Sequence, residues 1–543
     1  MSAYAISPGF KAGDKILFKA GETFTGAIWF KPNNPGSSAN PIIVGSYVLN
    51  SSNAVQMITG STDTRRATLQ INDLTQSGMY LENVGGYDIS HLFVRGPGIY
   101  SSQGDGIVAY NYLAGNVKLD FLNIHDLEVS DFGKGGISIG GGLGTSGYKN
   151  VWVTTVNAHD NLQVGIQTFG TQSTATSLGY ANFNVNIENC RTHDNHGQAN
   201  TASNSGSGIL IGNAQTVVVQ HNIANGNGDQ NTHVGGPVGI WVYDSDSVII
   251  QYNESHHNHT NSVADGGGFD IDGGVTNSFV QYNYSHDNDG AGILLAQYEG
   301  ARPLKNNTVR YNISQNDGRK NGYGAIHFYG QMDNINVYNN TVFISKTAAQ
   351  TQAPSAVLMT KPGTYTAADG SFYVVGPVSN VHILNNIFYT ASGARLLSIG
   401  VGNSNLTFNG NRYYASDNAP FFGYGGGFSN GNNVYQNAPY TSLAAFKTAT
   451  AQETNGLYGD PKLAGAGTGG DINDPYNLTS LNAYKLVDTT TNPSPIKNAG
   501  INLNTFTYTI GSTSYTINAG TRDYYGTTPI PAGTGFSMGA FDK

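Results

Sequence analysis

Charge is scarce in this chain. Asp, Glu, Lys and Arg make up 11% of its 543 residues, against about 25% in ordinary soluble domains. The net charge of −9 and the pI near 5.8 exclude the basic surface that nucleic acid or an anionic membrane would need. Cysteine is almost missing. Cys190 stands alone, which excludes an intramolecular disulfide and a cysteine-based zinc site. It reads as a buried residue of a repeat. No apolar run is long enough to span a bilayer. The opening "MSAYAISPGF" has no signal-peptide pattern and reads as a chain that starts after a removed leader. What is plentiful is glycine, at 72, and tyrosine, at 33 against 23 Phe and 3 Trp. With 38% hydrophobic residues, the composition is that of an ordered protein.

The chain repeats itself. "VVVQHN" (217–222), "VIIQYN" (248–253), "SFVQYN" (278–283), "NTVRYN" (307–312) and "INVYNN" (335–340) end on Asn222, Asn253, Asn283, Asn312 and Asn340. Their spacings are 31, 30, 29 and 28. A second short element opens on glycine: "GIVAY" (106–110), "GISIG" (136–140), "GIQTF" (165–169), "GILIG" (208–212), "GIWVY" (239–243), "GFDID" (268–272) and "GILLA" (292–296). Both elements alternate with period two, which marks strands with one buried face. The region shows no helical period. Strands recurring every 24–31 residues cannot bury their apolar faces alone and must stack coil on coil. The expected fold is all-β: a right-handed parallel β-helix of about ten coils. Its recurrent asparagines would form a ladder inside the turns. Residues 1–34 are assigned to an N-terminal cap and entry strands, 35–414 to the β-helix, and 415–543 to an irregular C-terminal region. That region should hold one short helix at 441–453, with Thr441 or Ser442 as N-cap. A β-propeller is the alternative, disfavoured by the short period.

The segment "AGDKILFKAGETFTG" (12–26), the repeats, and the tail pieces "YGDPKLAG", "NPSPIKNAG" and "FSMGAFDK" resemble the secreted bacterial pectate-lyase-like β-helix superfamily over nearly the whole chain. The resemblance implies a carbohydrate-active protein, secreted and bacterial, and does not specify the reaction. Composition agrees with a secreted, extracellular protein, expected to be a monomer.

One stretch concentrates charge where little is spent elsewhere: "GGGFDIDGG" (266–274). In the glycine-led strand the second and fourth positions are apolar in nearly every copy. Phe269 and Ile271 therefore face inward, and Asp270 and Asp272 face outward on one side. The same outward column presents Trp241 and Tyr243 one coil before, Leu294 and Ala296 one coil after, and His327 and Tyr329 beyond. Aromatic faces beside acids suit a polysaccharide, whose sugars offer apolar C–H faces and hydroxyls. Same-face residues i and i+2 lie about 6.5–7 Å apart. This straddles the retaining spacing of ~5–5.5 Å and the inverting spacing of ~6.5–9.5 Å. Like charges that close should raise one pKa and divide the pair into acid and anion.

The candidate catalytic residues are Asp270 and Asp272, with Asp265 and Glu299 as helpers. The candidate substrate-binding residues are Trp241, Tyr243, Gln297, Arg302, His327 and Tyr329, with Arg302 and Lys305 in the insertion "EGARPLK" (299–305) suited to an acidic sugar. No metal ligand is assigned: the histidines of "ESHHNHT", "YSHDN" and "RTHDN" belong to a repeated turn. No cofactor is required, although the outward acids suit Ca²⁺. The first function is a glycoside hydrolase acting on an extracellular polysaccharide. The second is a polysaccharide lyase or uronate epimerase. "GGFDIDGG" is similar to the "FDxxD" pattern of mannuronan epimerases, without its proline and histidine. The third is a non-catalytic adhesin or tailspike-like binding protein.

Overall fold

The structure, a computed structural model, describes residues 9–32, 34–171, 179–200, 203–233, 235–366, 372–428, 435–526 and 536–541. The reading of a removed leader rests on residues 1–8, outside this set. The chain forms two compact units, Met1–Val248 with Thr260–Ser262, and Ile249–His259 with Val263–Lys543. Among the described residues the one α-helix is Leu443–Thr450, and no helix is long and apolar enough to cross a membrane.

Among the described residues, short strands, most of them led by glycine, stack in parallel in each unit. The first unit holds seven: Ile28–Phe30, Met79–Glu82, Ile107–Asn111, Gly135–Gly141, Val164–Phe169, Ser207–Gly212 and Val238–Tyr243. Their register aligns Ile107, Ile137, Ile166, Ile209 and Ile240 in one inward column. The second unit holds six: Gly267–Ile271, Ile293–Ala296, Gly324–Tyr329, Ser355–Met359, Arg395–Gly400 and Phe422–Gly426. Here Phe269, Ile293, Ile326, Val357, Leu397 and Phe422 align and are buried. Each such residue contributes about 1.5–3 kcal/mol of apolar burial. This is the parallel β-helix that the period-two repeats require. It has more rungs than the ten or so expected. Ile28–Phe30, Ser355–Met359, Arg395–Gly400 and Phe422–Gly426 lack a leading glycine and escape the motif. Where the glycine is present, a turn side chain uses its space: a Cβ at Gly268 would lie 2.2 Å from Ser285 Oγ.

The asparagine ladder is continuous through the second unit. Asn253, Asn283, Asn312, Asn340 and Asn386 each donate from Nδ2 to the Oδ1 of the next, at 2.9–3.0 Å, and the series continues to Asn411. Asn411 then donates to Glu453, 2.5 Å away and fully buried, whose carboxyl burial pushes up to about 7. These asparagines are buried, among them Asn253, Asn283 and Asn312, which head Asn-x-Ser sequences. Cys190 is likewise buried, its backbone N–H bonded to Asn222 Oδ1 at 2.8 Å.

The helix Leu443–Thr450 starts on Ser442, whose hydroxyl accepts from Ala445 N at 3.1 Å. It buries Leu443 and Phe446, and Phe446 stacks on Phe422 of the last rung at 5.4 Å. An apolar cap thus covers the open end of the stack. The rest of the C-terminal segment lies along the turns. Tyr282, Tyr311 and Tyr338 pack with Leu503, Ile517 and Phe536, and Tyr284 with Leu478, Tyr484 and Tyr524. Much of the tyrosine excess is this covering layer.

Candidate functional site

The outward register of the acid pair holds. Phe269 and Ile271 have no exposure, and Asp270 aligns with Leu294 and then His327, while Ala296 aligns with Tyr329. The expected exposure does not hold. Asp270 is 4% exposed and Asp272 half-buried. Outward does not mean wet here, because the outward face carries its own apolar cover. Tyr323, from the turn before Gly324–Tyr329, packs on Leu294 and Ala291, with Ala296 and Tyr329 against the cluster. Its hydroxyl reaches back to Asp265, accepting from the Asp265 N–H at 2.9 Å and donating to Oδ1 at 3.3 Å.

Three carboxyls interact here. Burial, then the charges of Asp272 and Asp265, hold the Asp270 carboxyl well above the carboxylate range. Burial pushes Asp272 up to about 7, the Gly273 N–H opposing and Asp265 adding. Asp272 Oδ1 accepts from Gly273 N at 2.7 Å. Asp270 Oδ1 is buried with no hydrogen-bond partner. Buried polar atoms are nearly always paired, and a lone one in an acid pair marks a functional candidate.

The other sequence candidates separate. Gln297 bridges Gly274 N, accepted at 3.2 Å, and Arg302 O, donated to at 2.9 Å, tying down the insertion. Arg302 is buried rather than a free cation; Lys305 and Glu299 are exposed, and Glu299 is not among the charges that shift Asp270. Two binding assignments are corrected. His327 is 1% exposed, its Nε2 3.1 Å from Thr360 Oγ1 and its ring edge-on to Tyr323. Burial lowers it to about 3, so it is a neutral packing residue. Trp241, in the first unit, is 5% exposed with Nε1 donating to Ser207 Oγ at 3.0 Å. Trp241 is covered because its area is worth more buried than wet. Tyr243 is half-buried, its ring over Gly212.

The first unit has an open outward face that the motif reading left out. Trp29, 42% exposed, stacks on Tyr80 at 5.7 Å and donates to Glu82 Oε2 at 2.7 Å. Further along, Tyr110 and Phe169 approach to 5.7 Å across Gly140 and line a cavity of about 240 Å³ with Asp105, Lys134, Ser138 and Gln167. Applying the outward rule to "GIVAY" and "GIQTF" finds Tyr110 and Phe169. Asp105 is buried, and its Oδ1 accepts from Ser138 Oγ at 2.6 Å and Gly135 N at 3.0 Å.

For a cation, Asp265, Asp270 and Asp272 offer the all-oxygen donors Ca²⁺ takes, but Ca²⁺ needs about 6–8 of them. Gln297 Oε1 is engaged by Gly274 N, and the Tyr323 hydroxyl by Asp265.

Residues 180–342 match the family model "Right handed beta helix region", less than a third of the chain. No curated protein matches the sequence. Among solved structures, a GH136 lacto-N-biosidase from Eubacterium ramulus is 17% identical over 63% of this chain and 60% of its own, with a TM-score of 0.44. The chain thus spans about 60% of that enzyme's length. The A-module of the mannuronan C-5 epimerase AlgE6 from Azotobacter vinelandii is 10% identical over 83% and 91%, with a TM-score of 0.44. Pectate lyase Pel9A is 13% identical over 99% and 89%, with a TM-score of 0.38. These are likenesses of fold. The fold is the right-handed parallel β-helix.

Proposed function

We propose that the protein is a glycoside hydrolase that cleaves an extracellular polysaccharide, with Asp270 and Asp272 as its working pair. The observation that carries this reading is the pair's state: two carboxyls on one strand face, both pushed toward the protonated form, with Asp270 Oδ1 unbonded. Asp270, the more deeply buried, is the general acid and gives its proton to the glycosidic oxygen as the C–O bond breaks. Asp272, ionising near neutrality, is the anion that activates water or attacks the anomeric carbon, and water restores the pair. Asp265, held by Tyr323, sets the charge around them. In the first unit, taken by itself, the Trp29–Tyr80 stack and the Tyr110–Phe169 shelf offer faces for sugar rings. The protein acts outside the cell as a monomer.

Elimination or epimerisation is less well supported. It needs a base free to remove a proton beside a carboxylate. Tyr323 is pushed well above the usual phenol value, by burial first and Asp265 next, and His327 is shut in against Thr360.

A polysaccharide screen that reads reducing ends and unsaturated-uronate absorbance together tests the reaction. Reducing ends alone are expected; both signals together would mean elimination. Asp270→Asn and Asp272→Asn should each lose at least ~10²-fold in turnover with no fall in Tm. A calcium role predicts the opposite sign: both variants, and chelator on the wild type, would lower Tm.

A further inference from the structure

The turn that closes several of the coils carries a repeated pair. His125, His159 and His193 in the first unit set Nδ1 against the carboxylate of the next residue, Asp126, Asp160 and Asp194, each at 2.7 Å. In the second unit His286 does the same with Asp287 at 3.1 Å. The coil of His256 keeps the histidine but not the acid. After His256 stands His257, in the same left-handed conformation as Asp287 (φ 51 and 56). His257 Nδ1 lies 2.9 Å from His256 Nδ1. The carboxylate comes instead from Asp471 of the C-terminal segment. Its Oδ1 is 3.6 Å from His256 Nδ1, 3.7 Å from His257 Nδ1 and 4.0 Å from His286 Nε2. The four donor atoms all lie within 4.8 Å of one another.

Donors bound about 2.0–2.1 Å from a tetrahedral ion are about 3.3–3.4 Å apart, and the separations here bracket that value. The donors are held from behind. His256 stacks on His286 at 4.7 Å with planes 3° apart, in direct register. Asp287 holds His286 Nδ1, the outer carboxylate that orients metal-binding imidazoles. The backbone beside Asp471 is fixed by fully buried Glu254, which accepts from Ile472 N and Asn473 N, both at 2.7 Å. His257 and Asp471 are about half exposed, and Asp471 borders an open cavity of about 420 Å³ that gives an entry path.

We propose that His256, His257, His286 and Asp471 bind one divalent transition metal of the Zn²⁺ type, which fastens the C-terminal segment to two successive coils. Three imidazoles and one carboxylate suit Zn²⁺ or Co²⁺; Ca²⁺ and Mg²⁺ require oxygen-rich shells of higher coordination. Binding exchanges the bond of His286 Nε2 to Glu254 Oε1, 3.2 Å, for one to the ion, and Glu254 keeps its two amides. The ligands bind unprotonated, so metal uptake releases protons and weakens in acid.

The test uses tag-free protein, stripped with chelator and titrated with Co²⁺. One equivalent should bind with the strong visible bands of four-coordinate cobalt, and Zn²⁺ but not Ca²⁺ should raise Tm by several degrees. His257→Ala and Asp471→Ala should weaken Co²⁺ binding by at least about 10-fold, the lower scale for losing even an outer partner, and should abolish the Zn²⁺ shift. His193→Ala, in an ordinary His–Asp pair, should leave Co²⁺ binding intact. Absence of the cobalt spectrum in the wild type, or equal affinity in all the variants, would overturn the site. The wild-type titration decides by itself if a variant fails to fold.

Discussion

Two carboxylates are buried on comparable outward faces, one in each unit, and they are handled in opposite ways. Asp105, in the first unit, has its Oδ1 bonded by Ser138 and Gly135, beside an open cavity with aromatic walls. Asp270, in the second, has a bare Oδ1, two acids close by and an apolar cover. Burial raises both, so burial alone does not distinguish a structural acid from a working one. Satisfaction does: a paired acid stabilises the turn that pairs it, whereas an unpaired one costs stability that only another role would retain.

The largest expected effect sharpens the first unit's side of this contrast. Trp241→Ala should cost about 3–5 kcal/mol of stability, the scale for a truncated core aromatic, with little specific effect on sugar binding. A folded variant that loses only sugar affinity would restore Trp241 to the site. Asp105→Ala leaves Ser138 Oγ and Gly135 N without their acceptor and should cost about 1–3 kcal/mol, with turnover largely kept. Equal losses of turnover for Asp105→Ala and Asp270→Asn would erase the contrast. Phe169→Ala should weaken polysaccharide binding by about 0.5–1.5 kcal/mol while Tm holds, measured by titration on an inactive Asp270→Asn background. The smallest effect is Tyr323→Phe. Losing the hydroxyl at Asp265 should move the alkaline limb of the pH–rate profile with modest loss of rate, and an unchanged profile would detach Asp265 from the pair.

The fold was largely legible because period-two alternation and a recurring asparagine are local signals. Ile107 through Ile240 and Asn253 through Asn340 lie where the pattern requires. The direction of Asp270 and Asp272 was legible for the same reason. Their covering was not. Tyr323 reaches Asp265 across 58 residues, and no strand period encodes a side chain that folds back from another turn. The same holds for the tyrosines of "QYN" and "RYN": Tyr282 and Tyr311 lie under a segment some two hundred residues later in the chain. Asp471 joins His256 and His286 by that same long-range packing. A histidine reading confined to the repeat therefore sees only a turn.

The central claim is that burial raises both carboxyls of the 270/272 pair at a cost to the fold. Thermal melts from pH 4 to 8 of the wild type, Asp270→Asn and Asp272→Asn test it most directly. Asp272 is raised from about 3.8 to about 7, and burial with its neighbours' charges holds Asp270 well above its ordinary value. Below the unfolded value both states are protonated and the fold has its full stability. As pH climbs toward 7 the unfolded chain ionises while the folded pair does not, and stability falls. Asp317 and Glu453, raised to about 6 and 7 by burial, act in the same direction in all three proteins, so the difference between proteins isolates the pair. The account predicts that wild-type Tm drops more steeply between pH 4 and 7 than that of either variant, and that both variants match or exceed it at pH 7. Parallel curves, or variants that melt lower at pH 7, would contradict it.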